Sequence, residues 1–399
     1  MDRTWLNDLL AETDEAETPR QWILWSGLSA IGAVAGPNVW LDKFYYKLSP
    51  NMYVMLIGKS GLGKGLGTWL AKVLVEGCNI TRVMAGRNSI EAIISELSKS
   101  KSREDGEAML KDARAYLISG EFANFIIQSP NALTILTEWY DTHYLGEWKN
   151  TLKHSGVEKL KGLNISLLGA ASPAHFKDFV SERDVEGGFI GRTLLIYAEK
   201  RHRINPLTVA PETVMDIDRL VKGLQDISKI KGEFKWEKDA SILFGDWYRK
   251  YRSIERDDKT GTDQRFPDHI LKVAMCLSLS KRDELVLYSR EIEQSIEICT
   301  TLTHNVRRAL FGSGKNLLAQ GTKLLLEDLI KAPDNKVSRT KTLQKHWGDL
   351  DSFDLDKIQV TLLQANMITI DSDKNDMYFI LTPEFKEQYK AMQEKKGDA

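Results

Sequence analysis

The segment Gly58-Lys-Ser-Gly-Leu-Gly-Lys64 restricts the fold more than any other part of the chain. Two glycines and a lysine stand at phosphate-loop spacing, behind the apolar run "NMYVMLIG" and ahead of a helical segment, Lys64 to about Val75. A polyphosphate is held there mainly by backbone N–H groups, and these converge only where glycines let a strand turn sharply into a helix. The lysine and the positive end of the helix supply the charge. Residues Gly58, Lys59, Ser60, Gly61, Leu62, Gly63, Lys64, Gly65 and Leu66 are therefore expected to line a nucleotide, with ATP as the ligand.

Two positions depart from that pattern. The residue after Lys64 ordinarily carries a hydroxyl for Mg2+, and here it is Gly65. Thr68 is nearly one helical turn further on, a poor position from which to replace it. The strand "YLIS" ends in Gly120-Glu121 where an aspartate and a glutamate are expected. Glu121 keeps the role of polarising the attacking water, whereas the aspartate's metal contact is missing. The expectation is Mg2+ held by phosphates, water and Glu121, with no dedicated protein ligand set. Ser172, ending the strand "LNISLLGAAS", is the first candidate to sense the terminal phosphate, and Asn164 the second. In "GGFIGRTLLIY" a glycine turn presents Arg192 at the start of a strand, where it would act on a neighbouring subunit's nucleotide. Arg265 and Lys272 are alternative second phosphate sensors.

Strands alternate with helices from residue 49 to 204, which implies an α/β fold: a mainly parallel sheet with helices on both faces. Residues 1–48 read as an N-terminal helical segment, its run "PRQWILWSGLSAIGAVAG" apolar nearly all round and so expected to form a buried helix packed on the following domain. Residues 205–312 read as a helical domain. After the glycine-rich hinge "FGSGKN", residues 317–388 read as three helices and a hairpin, the plan of a winged helix. At 399 residues the chain exceeds what one core organises. Cys78, Cys276 and Cys299 lack metal-ligand spacing and are assigned to the core. With no signal-like or membrane-length apolar run, a cytoplasmic location and no membrane partner are expected. The net charge of −1 gives no global attraction to nucleic acid, so any such binding must be local.

The order of these elements resembles the AAA+ ATPase core followed by its helical lid. Residues 20–305 resemble more narrowly a helicase-like P-loop family of phages and mobile elements, related in plan to the MCM replicative helicases. The carrying segments are "LSAIGAVAGPNVW", "NMYVMLIGKSGLGKG", "SIEAIISEL", "YLISGEFANF", "ISLLGAASPAHF" and "GGFIGRTLLIY". The resemblance implies a homo-oligomeric ring, hexameric by analogy, with ATP between subunits and a role in replication. The stretch "GEWKNTLKHSGVEKLKG" resembles in position a pore hairpin, which makes Lys149, Lys153, His154, Lys159 and Lys161 the expected contacts to DNA, single-stranded by preference. Trp148 is either a base-stacking residue or an anchor to the core. The winged helix offers Arg339, Lys341, Lys345 and His346 on one helix but Asp349, Asp351, Asp354 and Asp356 at its third, so DNA and a replication protein are both open as its partner. Two accounts follow: an ATP-driven helicase or translocase, or a nucleotide-responsive loader or scaffold that turns over little ATP.

Overall fold

The computed structural model describes residues 4–302 and 317–387, apart from 87, 100, 103–107, 111, 123–130, 142–145, 153–155, 180–187, 206–214, 255–257, 259, 347–351 and 374–375. Two compact units divide the chain, Met1–Leu310 and Phe311–Ala399.

The first unit opens with α1 (Trp5–Glu12), α2 (Arg20–Ala35), β1 (Val39–Asp42) and β2 (Lys47–Leu48). β3 (Tyr53–Ile57) runs through the glycine loop into α3 (Lys64–Cys78). β4 (Arg82–Ala85) and α4 (Ile90–Ser98) precede a small hairpin, β5 (Lys101–Ser102) and β6 (Ala108–Leu110), and then β7 (Arg114–Ser119). α5 (Ala132–Asp141) leads to a second hairpin, β8 (Glu147–Leu152) and β9 (Gly156–Lys161), and to β10 (Asn164–Ala171). Next come α6 (Pro173–Phe179), the single turn α7 (Phe189–Arg192) and β11 (Thr193–Tyr197). The remainder is α8 (Ile217–Lys229), β12 (Gly232–Trp236), α9 (Lys238–Arg252), α10 (Thr262–Leu279), β13 (Val286–Leu287) and α11 (Ser289–Thr300).

Five strands form a parallel sheet in the order β11-β3-β10-β7-β4. Counted along the chain that order is 5-1-4-3-2. Every residue of β3 is buried, as in a strand covered on both faces, and its side chains alternate between two cores. Val54 and Leu56 join Ile118, Leu168 and Ile196 beneath α2, α3 and α10. Tyr53, Met55 and Ile57 join Leu117, Ile165 and Leu195 beneath α4 and α5. The sheet with helices on both faces agrees with the expected α/β class.

The helix expected near the amino terminus packs on the domain that follows it. α2 is buried on nearly every side because it packs on α3, α8, α10 and the sheet at once. Trp22 donates from Nε1 to the carbonyl of Ile196 at 2.9 Å, and Gln21 from Nε2 to that of Tyr197 at 2.8 Å, tying the helix to the edge strand β11. β1 pairs in parallel with β12, and β13-β12-β1-β2 make a second sheet. That pairing joins residues 39–41 to 232–234, so segments 1–48 and 49–204 share one unit with 205–310, and the stretch 205–312 is not purely helical.

The second unit contains α12 (Leu317–Lys331), β14 (Lys336–Ser338), α13 (Arg339–Lys345), α14 (Ser352–Gln364), β15 (Ile368–Ser372) and β16 (Met377–Leu381). Its antiparallel sheet has the order β14-β16-β15 around a core of Leu325, Leu329, Leu355, Ile358, Leu362 and Phe379. The expected three helices and hairpin are present, with a short first strand in addition.

Candidate phosphate site and the far end of the sheet

The glycine loop leaves β3 at the carboxyl end of the sheet, between β11 and β10. Gly58 donates to the carbonyl of Ala171, and Ala198 to that of Ile57, so both flanking strands hold the start of the turn. A Cβ on Gly58 would lie 2.7 Å from the carbonyl of Ala198 and 2.7 Å from the Trp22 ring. Gly63 caps α3 with φ +86°, and a Cβ there would lie 2.3 Å from Oγ1 of Thr18. These glycines meet two demands, close packing beneath the loop and a left-handed turn at its end. Lys64 opens α3 and its Nζ donates to the carbonyls of Gly58 at 2.5 Å and Lys59 at 2.8 Å. Partial burial holds its amine below the usual lysine range. Lys59, Ser60, Gly61 and Gly65 are exposed, while Leu62 and Leu66 lean on the first core.

Glu121 and Ser172 follow β7 and β10 at this same carboxyl end. Glu121 is exposed. Ser172 accepts at Oγ from the N–H of His175 at 3.2 Å and so caps α6, an engagement that accounts for the serine without a ligand. Asn164, the second choice, opens β10 and lies at the opposite end.

The residues do not fit a protein-held magnesium ion. Gly65 and Gly120 carry no side-chain oxygen, and Thr68 donates from Oγ1 to the carbonyl of Gly65 at 3.1 Å. That hydroxyl faces Gly120, 3.9 Å from where a Cβ would stand. Among the described residues no group of three histidine, cysteine, aspartate or glutamate side chains is placed to hold a metal.

Lys272 and Arg265, the alternative second phosphate sensors, occupy the amino end of the sheet, away from the glycine loop of their own chain. Lys272 is buried and donates from Nζ to the backbone carbonyl of Asn51 at 2.6 Å and to its Oδ1 at 2.9 Å. Asn51 precedes β3 and Gly58 follows it, a separation of roughly 20 Å at about 3.3 Å per extended residue. Burial draws the Lys272 amine down to about 8, with Asp268 opposing. Arg265 stands with its Nη2 3.8 Å from Oδ2 of Asp141. Both residues line a cavity of about 660 Å3 together with Trp40, Trp139 and Tyr140.

Arg192 ends α7 and opens β11, also at the amino end. Its guanidinium is buried, donating from Nε to Oδ1 of Asp141 at 3.1 Å, from Nη2 to Oδ2, and from Nη1 to the carbonyl of Gly188 at 2.8 Å. One half-exposed carboxylate therefore gathers Arg192 and Arg265. Sequence reasoning missed Asp141, whose only signal is its place at the end of an amphipathic helix.

The basic stretch 147–161 is an antiparallel hairpin, β8 against β9. Lys149, Lys159 and Lys161 are exposed; Lys153 and His154 lie outside the described residues. Glu147 sits 3.1 Å from Lys149 and 3.9 Å from Lys161, which tempers the positive charge at the hairpin's base. Trp148 packs edge-on against Trp139 at 5.6 Å and donates to Glu138, so it anchors the hairpin. In the second unit Arg339 pairs with Asp356, and Lys345 and His346 with Asp328, so much of the basic charge of α13 is paired internally. Asp349 and Asp351 lie outside the described residues.

No protein-family model matches the chain, and no curated protein matches it. Among the described residues no helix is long and apolar enough to cross a membrane.

Proposed function

We propose that this chain is an AAA+-type P-loop ATPase with a carboxyl-terminal winged helix, assembling into a ring and driving movement on single-stranded DNA. One observation carries the reading: a glycine loop ending in Lys64 emerges from β3 of a parallel sheet ordered 5-1-4-3-2, at the end where Glu121 also stands. The amides of residues 61–64 and Lys64 hold the phosphates, and Glu121 orients water. Arg192 and Arg265 cannot reach the loop of their own chain from the far end of the sheet, which supports a joint role toward a neighbour's nucleotide. The hairpin of β8 and β9, with exposed Lys149, Lys159 and Lys161, supports contact with DNA phosphates.

The two glycines at positions 65 and 120 favour a second reading, a helicase loader or scaffold that binds ATP and turns it over little. ATP hydrolysis measured with and without single-stranded DNA separates the two. The motor reading expects DNA-stimulated turnover that is lost in Lys64→Ala and Arg192→Ala. An inert wild type that gains turnover in Gly120→Asp decides for the scaffold.

A further inference from the structure

We propose that Arg201 is the second cation of the phosphate site, and that Lys64 and Arg201 together bind a nucleoside triphosphate without a protein-held divalent ion. This rests on the reading of residues 58–64 as a phosphate loop. Because β11 lies beside β3, the chain leaving β11 passes directly over the glycine turn. Arg201 stands in that passage, its Nη2 donating to the carbonyl of Gly61 at 3.3 Å and its Nη1 paired with Oε2 of Glu17. The segment that carries Glu17 is itself fixed. The other Glu17 oxygen accepts from the N–H of Asn205 at 3.1 Å, the Glu17 carbonyl from the N–H of His202 at 3.0 Å, and neighbouring Thr18 donates to the carbonyl of Gly63 at 3.2 Å.

Lys64 and Arg201 thus both rest on carbonyl oxygens of one loop. A phosphate oxygen displaces such neutral acceptors, since charge-assisted hydrogen bonds are about twice as strong, and the arginine fork can take two oxygens at once. The positions that would hold magnesium carry only Gly65 and Gly120, and the Thr68 hydroxyl that faces Gly120 is bonded to the carbonyl of Gly65. Arg265 and Lys272 are at the other end of the sheet, which leaves Arg201 as the arginine bonded to the loop among the described residues. In this arrangement Glu17 stores the guanidinium beside the site and yields it when phosphate enters.

The test is calorimetric titration of the full chain with ATP, ADP and AMP, in magnesium and again in EDTA. Wild type is expected to bind ATP in both, within about threefold. Arg201→Ala is expected to weaken ATP about tenfold to a hundredfold and AMP much less, because the arginine's charge-assisted bonds go to the outer phosphates. Arg201→Lys should recover part of the affinity. Glu17→Gln, which removes the competing carboxylate, should bind ATP as tightly as wild type or more so; this guards against a loosened loop as the cause of the alanine effect. If Lys64→Ala abolishes binding while Arg201→Ala binds like wild type, the role of Arg201 is overturned and the phosphate loop stands. Wild-type binding that disappears in EDTA also overturns the proposal. No binding by wild type in either buffer removes the phosphate loop itself.

Discussion

Lys272 offers a quantitative test of how the amino end of the sheet is built. Its ammonium is fully enclosed, its contacts being the two oxygens of Asn51 and the face of Tyr140, 4.5 Å away. Burial brings its folded pKa from 10.5 to about 8. At about 1.4 kcal/mol per pH unit, enclosing the charge costs the folded state on the order of 3 kcal/mol near neutral pH. Between about pH 8 and 10.5 the unfolded chain binds the proton that the folded chain has released, so this residue's contribution to stability rises with pH. The buried thiols of Cys276 and Cys299 act in the opposite direction, because burial raises their pKa values and the unfolded chain ionises first. Total stability therefore hides the lysine, and a difference between two proteins reveals it. Lys272→Met leaves the Asn51 oxygens unpaired, at about 1–3 kcal/mol each, and relieves about 3 kcal/mol of charge burial, so near pH 7 the two effects largely offset. By pH 10.5 wild type has escaped the charge cost and the variant falls behind by about a further 3 kcal/mol. Urea unfolding followed by tryptophan fluorescence at several pH values measures this. A stability difference that changes by less than about 1 kcal/mol across the window refutes the enclosed ammonium.

The glycine loop separates packing from backbone strain. Gly63→Ala should cost about 1–2 kcal/mol for its left-handed φ plus the overlap with Thr18, whereas Gly61→Ala, with φ +83° and nothing within 4 Å of the added Cβ, should cost only the backbone share; urea midpoints rank them. Gly65→Ser meets open space in α3, so its thermal midpoint should stay level or rise, and calorimetry should find ATP binding more dependent on magnesium than in wild type. Asp141→Asn takes the carboxylate from two arginines and should destabilise the fold by about 1–3 kcal/mol, read from the urea midpoint. Replacing Lys149, Lys159 and Lys161 by glutamate should weaken single-stranded DNA binding and flatten its salt dependence by about 0.7 for each phosphate the lysines no longer neutralise, as fluorescence anisotropy at several salt concentrations would show.

Local physics makes much of this fold readable. A run that is apolar on all sides cannot lie on a surface, and α2 is in fact at the centre of the first unit. Completely apolar strands imply helices on both sides, as β3 has. Partners distant in sequence are the hardest to read. β12, "GEFKW", has no strong pattern of its own and becomes a strand through β1, nearly two hundred positions earlier. In the stretch 147–161 lysines occur on both arms, which hides from the local pattern the alternation expected of a half-buried hairpin. Lys272 stands out as a cation in an apolar helix, a real signal of burial, but the oxygens that meet it belong to Asn51 and not to a ligand. Arg201 gives no such signal, because "EKRHR" reads as a solvated charge run; only its position between Glu17 and Gly61 distinguishes it from its neighbours.

The glycines of the loop differ in what requires them, and that difference bears on the chemistry. Gly58 is held by the Trp22 ring and Ala198, Gly63 by its left-handed turn against Thr18, and Gly67 by Ser26 and Leu56. Packing alone would keep these three. A Cβ on Gly65 would meet nothing within 4 Å, and the residue has no left-handed φ and sits in the first turn of a helix, where glycine is worse than alanine by about 0.5–1 kcal/mol. Neither sterics nor helix stability favours glycine there, and a serine would fit. The same room exists at Gly120, where the nearest atom to an added Cβ is a threonine hydroxyl 3.9 Å away. Two uncrowded positions, on either side of one site, thus lack the oxygens that would hold a divalent ion, while an arginine is bonded to the loop beside them. A site that balances phosphate charge with side-chain cations accounts for all three observations together. Under that account the metal ligands are absent because of the chemistry of the site and not because of crowding in the fold.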